Sequence, residues 1–290
     1  MKTIQAMYDQ IIQNLLHRAE SEGNIRAIVI VGSRARVNVP ADDFSDLDLI
    51  IVATDLAEYI NDSAWLKALG THWLTFTEPT PLPEVKERRI LFAEGLDVDC
   101  VFFPMTTIQD SIENGISFFL ADLIRRGVKV ILDKEGAFAK IDLSRIETPK
   151  FIIPTEAEFS NLVQDFFYHY VWVLKKIGRG ELWVAHSCLN SYLKRRLLTM
   201  IEWNARTVYG LDYDTWHDGR LIETWADPKI IGSFPTIFSR YDRTDIKQAL
   251  AEILRLFQTT AQEIAKAWGY EYSKLAIDQV LEWAEIKLKV

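Results

Sequence analysis

Two apolar segments, joined by a glycine–serine turn and followed by an acidic pair, constrain the fold of this chain more than any other feature. The β-branched run 27–31 ends at Gly32 and Ser33, and a second apolar run begins with Asp46 and Asp48. Side chains alternate between the faces of a strand, so the two aspartates point the same way. Like charges on one face repel each other unless a cation lies between them. A magnesium-type ion is the natural candidate, because it prefers carboxylates together with substrate phosphates.

A third carboxylate follows in the segment 96–103, whose composition also predicts a strand. Asp97 and Asp99 share one face of it, and Cys100 takes the other face, which predicts a core position for this cysteine. If this strand lies beside the Asp46 strand, one of its acids completes a three-carboxylate cluster. Two metal ions about 3.5–4 Å apart in such a cluster activate an attacking oxygen and stabilise a leaving oxygen.

The glycine–serine turn offers phosphate contacts. Gly32 has no Cβ, so the backbone can approach a polyphosphate closely, and the Ser33 hydroxyl and the next amides can donate to phosphate oxygens if a helix starts there. Arg34 and Arg36 add positive charge. A lone glycine–serine pair is usually a turn, and a lone Asp-x-Asp is usually a solvated strand edge. The ordered set of both with a later acidic strand predicts phosphoryl-transfer chemistry.

Composition narrows the class of protein. The chain has 290 residues, 49% of them hydrophobic, which predicts a packed core, and a net charge of −8, which argues against a nucleic-acid partner and favours a small or cationic ligand. We expect no membrane partner and a soluble, cytoplasmic protein, because the sequence shows neither a secretory signal nor an apolar run of about 18–20 residues. The oligomeric state is left open.

The sequence pattern changes near residue 151 and predicts two domains. Residues 1–150 fit an α/β (α+β) domain with a mixed sheet, beginning with a helix over 4–21. Thr155 and Glu158 then fit a capping box, and residues 151–290 predict an all-helical domain, with a cleft between the two domains. Its helix-period segments are 156–177, 181–208, 245–268 and 274–288.

These motifs resemble a known family. The segment 40–48 after the glycine–serine turn, with Val98 and Asp99 ahead of Pro104, is similar to the aminoglycoside 6-adenylyltransferases, the streptomycin-modifying branch of the nucleotidyltransferase superfamily. Further similarities lie at 65–70 in the first domain and, in the helical half, at 179–182, 194–203 and 239–241. The resemblance therefore covers most of the chain and implies the nucleotidyltransferase fold.

The resemblance also implies roles for individual residues. Asp46 and Asp48 would bind magnesium, and Asp99 would be a third metal ligand, the general base, or both. Gly32 and Ser33, with Arg34 nearby, would hold the ATP phosphates. Lys175 would reach the triphosphate from the helical half, a role for which Lys176 competes; a solvated helix face is the alternative for either lysine.

The implied reaction is magnesium-dependent transfer of AMP from ATP to a hydroxyl of an aminoglycoside, most simply streptomycin, giving antibiotic resistance. The segment 211–218 mixes acids and aromatics that could hold a polycationic sugar, or it could be a capped loop that packs its aromatics inward. Two alternatives stay open: a nucleotidyltransferase for another aminoglycoside, a protein hydroxyl or an RNA end, and a non-catalytic nucleotide-binding sensor.

Overall fold

The structure of the protein, a computed structural model, describes residues 3–141, 150–272 and 274–288. It divides into two compact units, Met1–Thr148 and Pro149–Val290. Of the helices in the described part of the chain, none combines the length and the apolar character that crossing a membrane requires.

A six-stranded sheet forms the centre of the first unit, in the order β3-β4-β5-β2-β1-β6. Strands β2 and β5 run parallel, and every other neighbouring pair is antiparallel, so the predicted mixed sheet is confirmed. The strands are β1 Ile25–Val31, β2 Leu47–Ala53, β3 His72–Pro79, β4 Lys86–Phe92, β5 Leu96–Pro104 and β6 Val128–Asp133.

Helices cover both faces of this sheet, which explains the near-continuous apolar runs of β1 and β2. The predicted first helix is confirmed and packs on the face that carries Leu49 and Cys100, so Cys100 is a core residue as expected. The other face carries Val29, Ile50 and Phe103 and packs against α3, α4 and α5. The helices are α1 Ile4–Ser21, α2 Ala57–Asn61, α3 Met105–Asn114, α4 Phe118–Ile124 and α5 Ala137–Lys140.

The second unit is helical in every regular element that the structure describes, as predicted. Its first helix starts at the expected capping box: Thr155 Oγ1 accepts from the Glu158 amide at 3.2 Å, and the Thr155 amide donates to Glu158 Oε2 at 2.7 Å. A π-helical turn, Cys188–Leu193, joins α7 to α8. The helices are α6 Glu156–Gly178, α7 Leu182–Ser187, α8 Lys194–Tyr209, α9 Ile222–Trp225, α10 Pro228–Ile237, α11 Arg243–Trp268 and α12 Lys274–Leu288.

Candidate active site

Three aspartates meet where β2 and β5 begin. Asp48 and Asp99 are register partners in the parallel β2–β5 pair, and Asp46 immediately precedes β2. Each of the three offers a carboxylate oxygen, and these oxygens all lie within 4.8 Å of one another. Asp97 shares strand parity with Asp99 but has an exposed side chain and does not belong to this group. The structure therefore brings together the acids that the sequence singled out.

The donor set fits a divalent cation. Burial raises the pKa of Asp99 to about 7; the nearby Arg89 lowers it, and the carboxylates of Asp97, Glu87 and Asp46 raise it further. Asp99 Oδ1 is buried and has no hydrogen-bond partner among the described residues. Clustered carboxylate oxygens, one of them buried and unpaired, are the hard ligands that magnesium takes.

The glycine–serine turn lies against this cluster. Gly32 has a φ of +67°, and a Cβ at this position would overlap Asp48 Oδ2. Ser33 is only 5% exposed, and its hydroxyl lacks a hydrogen-bond partner in the described part of the chain. Instead of an α-helix, a single 3-10 turn follows, in which the amides of Ala35 and Arg36 donate to Gly32 O. The close backbone approach and the unpaired hydroxyl fit a phosphate group, and the helical turn that begins at Gly32 is a 3-10 turn.

Arg34 is engaged by the protein itself. Its guanidinium donates to Asp46 O at 2.9 Å, to Ser45 O at 2.7 Å and to Gln5 Oε1 at 2.8 Å. The guanidinium carbon also lies 3.8 Å from the centre of the Tyr8 ring. Arg34 therefore stabilises the loop that precedes β2 and carries Asp46. A contact between Arg34 and the ATP phosphates stays a prediction.

Arg89 is a site residue that sequence reasoning missed. It lies on β4 opposite Asp99 and donates through Nη1 to Asp99 Oδ2 at 2.5 Å. Its remaining nitrogens pair with Glu78 Oε2 at 2.6 Å and with Glu87 Oε1 at 3.0 Å. The only signal for this role is the pairing register of β4 with β5, which spacing along the chain does not reveal.

Lys175 faces a basic cavity of about 550 Å³ in the second unit. Its Nζ lies 5.9 Å from the centre of the Trp283 ring, whereas Lys176 Nζ pairs with Glu181 Oε2 at 2.6 Å. A cavity rich in cations is suited to an anionic ligand. The cationic side chains that line it are Lys175, Lys176, Arg179, Arg243 and Lys247.

Of the two interpretations of segment 211–218, the structure supports the capped loop that packs its aromatic side chains inward. Tyr213 and Trp216 pack against the helical core, and the Trp216 amide donates to Asp214 Oδ1 at 2.9 Å. The aromatics of this segment are therefore turned inward.

Comparison with known proteins decides the family. A family model described as streptomycin adenylyltransferase matches residues 1–286. The chain belongs to this family. It is therefore a nucleotidyltransferase, and the resemblance seen in its motifs is confirmed.

Relatives that match most of the chain are named aminoglycoside 6-adenylyltransferases. An aminoglycoside 6-adenylyltransferase from Campylobacter jejuni is 22% identical over 278 residues, covering 94% of this chain and 91% of the relative. One from Bacillus subtilis (strain 168) is 23% identical over 280 residues, covering 94% and 93%. A crystal structure of an aminoglycoside 6-adenyltransferase from Bacillus subtilis aligns over 99% of both chains with 18% identity and a TM-score of 0.46.

Proposed function

We propose that this chain transfers AMP from ATP to a hydroxyl group of streptomycin and releases pyrophosphate. The observation that carries the proposal is the cluster of Asp46, Asp48 and Asp99 against a glycine–serine turn, in a member of the streptomycin adenylyltransferase family. Transfer of an adenylyl group needs these two elements, a set of metal-binding carboxylates and a backbone cradle for phosphates.

Asp46, Asp48 and Asp99 would hold magnesium, most simply two ions. Magnesium bound there supplies charge stabilisation for the in-line displacement at the α-phosphorus. Gly32 lets the backbone approach the triphosphate, and the Ser33 hydroxyl, which is buried without a partner among the described residues, donates to a phosphate oxygen. That Lys175 contacts the triphosphate stays a prediction from the family resemblance; the cavity that it lines in the second unit is rich in cations, which suits an anionic ligand.

Asp99 has two roles open to it, as a ligand and as the base for the attacking hydroxyl. In the second role the acceptor oxygen bonds to the α-phosphorus, the bond from that phosphorus to the bridging oxygen breaks, and pyrophosphate leaves. The proton of the hydroxyl passes to the carboxylate. Arg89 donates to Oδ2 of Asp99, while Oδ1 is buried and has no hydrogen-bond partner among the described residues.

The product carries a new anionic group on a drug that is recognised through its positive charge. Such a change weakens binding of the drug to its anionic target and explains resistance. The reaction consumes ATP, so we place the enzyme in the cytoplasm.

The experiment that tests this function is pyrophosphate release from ATP and magnesium with streptomycin, kanamycin, spectinomycin or no acceptor. We expect release with streptomycin alone and a product heavier by one adenylyl group. Release with a different drug would replace the acceptor and keep the reaction. If no drug causes pyrophosphate release and the protein still binds magnesium-ATP, the proposed reaction is overturned and a non-catalytic sensor is favoured.

A further inference from the structure

The sheet face that carries the carboxylate cluster continues onto the two outer strands of the sheet. Asp48 is the register partner of Asp99, Asp99 of Arg89, and Arg89 of Phe76. Residues that are partners across neighbouring strands project from the same face. Phe76 on β3 therefore lies in the same cross-strand row as the cluster, two strand spacings, about 10 Å, beyond Asp99.

The rows on either side extend this surface. Asp97 is the register partner of Leu91, and Leu91 of Leu74; on the other side Glu87 is the partner of Glu78. Leu74 is 64% exposed and Phe76 is 53% exposed, although both lie on a sheet face next to a buried aspartate. We refer to this surface as the outer platform, and its residues are Leu74, Phe76, Glu78, Glu87, Leu91 and Asp97.

The net charge of this surface is negative. Glu78, Glu87 and Asp97 add three carboxylates to those of the cluster, and along strands β2 to β5, all of whose residues the structure describes, Arg89 is the cation that points from this face. Arg89 pairs with Glu78 and Glu87 as well as with Asp99, so a single positive charge faces more carboxylates than it can neutralise. Acids in excess of those that a metal needs attract a cationic ligand and repel a triphosphate.

We propose that the outer platform binds the acceptor, a polycationic aminoglycoside. The apolar side chains of Leu74 and Phe76 cover the C–H faces of its rings, and the Phe76 ring also attracts a nearby ammonium or guanidinium group. The exposed carboxylate of Asp97 neutralises one of its charges, and a ligand lying on Phe76 points a hydroxyl along the row towards Asp99. This assignment rests on the proposed function and names the surface that selects its substrate.

The test is the kinetics and binding of two variants, Phe76→Ala and Leu74→Ala, against Val130→Ala as the matched control. Val130 is also an exposed apolar residue, 41% exposed, but lies on β6 at the opposite edge of the same sheet. In Phe76→Ala we expect the KM for streptomycin to rise about tenfold, which corresponds to about 1.4 kcal/mol. The KM for ATP should stay within about twofold, and Val130→Ala should change neither.

A second readout removes the dependence on turnover. Streptomycin is titrated into nucleotide-free and metal-free protein by calorimetry, and the wild type is compared with Phe76→Ala and Asp97→Asn. We expect weaker binding in both variants, and a smaller salt dependence in Asp97→Asn because one charge contact is lost.

The outcomes separate the two proposals. If the wild type adenylylates no aminoglycoside, the proposed function fails, while titrated streptomycin that binds the wild type and not Phe76→Ala still supports the outer platform. If the wild type turns over streptomycin but Phe76→Ala and Leu74→Ala alter neither its KM nor its binding, the platform is wrong and the function stands. An equal rise in the KM for ATP, or no streptomycin binding to the wild type, would also overturn the platform.

Discussion

The guanidinium of Arg89 donates to Asp99 Oδ2 at 2.5 Å across the antiparallel β4–β5 pair, while Asp99 Oδ1 has no hydrogen-bond partner among the described residues. One carboxylate oxygen is thus paired with a cation, and the second oxygen accepts no hydrogen bond from any described residue. Glu78 and Glu87 hold the other nitrogens of Arg89, so the arginine is itself fixed. Arg89 orients the third acid of the site and offsets part of the repulsion among the aspartates.

The first prediction concerns this ion pair. In a double-mutant cycle of Arg89→Met and Asp99→Asn, followed by urea unfolding in the presence of EDTA at pH 8, we expect a coupling free energy of about 1–2 kcal/mol, because one partner is buried and the bond is charge-assisted. Arg26, which pairs with Glu135, supplies the control. Arg26→Met combined with Asp99→Asn should be additive, and additivity in the Arg89 cycle would show that the pair does not stabilise the fold.

The second prediction concerns Gly32 and uses another glycine as its control. Gly32 and Gly136 have nearly the same φ, +67° and +63°, but a Cβ on Gly136 meets nothing within 4 Å, whereas one on Gly32 overlaps Asp48. Both alanine variants carry the cost of a left-handed residue, about 1–2 kcal/mol. Gly32→Ala should also displace Asp48, so we expect it to lose most of its activity and more stability than Gly136→Ala. Equal losses in thermal melts and turnover would contradict a close approach at Gly32.

The carboxylate site was largely accessible from the sequence because strand geometry has a period of two residues. That period placed Asp46 and Asp48 on one face without knowledge of the fold. It could not choose between Asp97 and Asp99, which share parity. The pairing of Asp48 with Asp99 in the parallel β2–β5 ladder makes that choice.

Features that depend on long-range register were not accessible in the same way. Arg89 and Phe76 join the carboxylate row only through two successive antiparallel pairings, and the register of β3 with β4 shifts between His72 and Leu74. In the helical unit, α9 has four residues and α10 contains Pro235, so neither shows the long periodic pattern that predicted α6 and α11. Local periodicity predicts individual helices and strands, whereas the strands that lie side by side are determined by tertiary pairing.

The third prediction concerns the metal. Asp48→Asn should lower turnover more than about 100-fold, because replacing a residue that only supports a metal ligand already costs about 10–100-fold in metal affinity or activity. The fold should persist, since the change removes one of three like charges. Magnesium should raise the melting temperature of the wild type and not of the variant. Asp122→Asn, at an exposed acid paired with Arg125, is the control and should behave as the wild type. An active Asp48→Asn enzyme would contradict the assignment of Asp48 as a ligand.

The last prediction concerns Lys194, whose amine lies 4.0 Å from the centre of the Phe238 ring and donates to Asn190. Burial lowers the pKa of Lys194 to about 8, whereas an unfolded lysine has a pKa of about 10.4. Between these values the unfolded chain binds more protons than the folded chain, so this residue makes stability rise as the pH increases from about 8 to about 10.4. Below pH 8 both states are protonated, and the full cost of burying the charge remains.

Replacing Lys194 with methionine should therefore stabilise the protein most at pH 7, and this gain should shrink towards pH 10, where the wild-type amine is neutral in the folded state. The measurement is the difference in the free energy of unfolding between variant and wild type, by urea titration at several pH values, in which the titration of other groups cancels. Lys229→Met, at an exposed lysine of α10, corrects for the loss of one positive charge from the surface. After this correction, a difference that stays constant from pH 7 to pH 10 would show that burial does not favour the neutral form of Lys194.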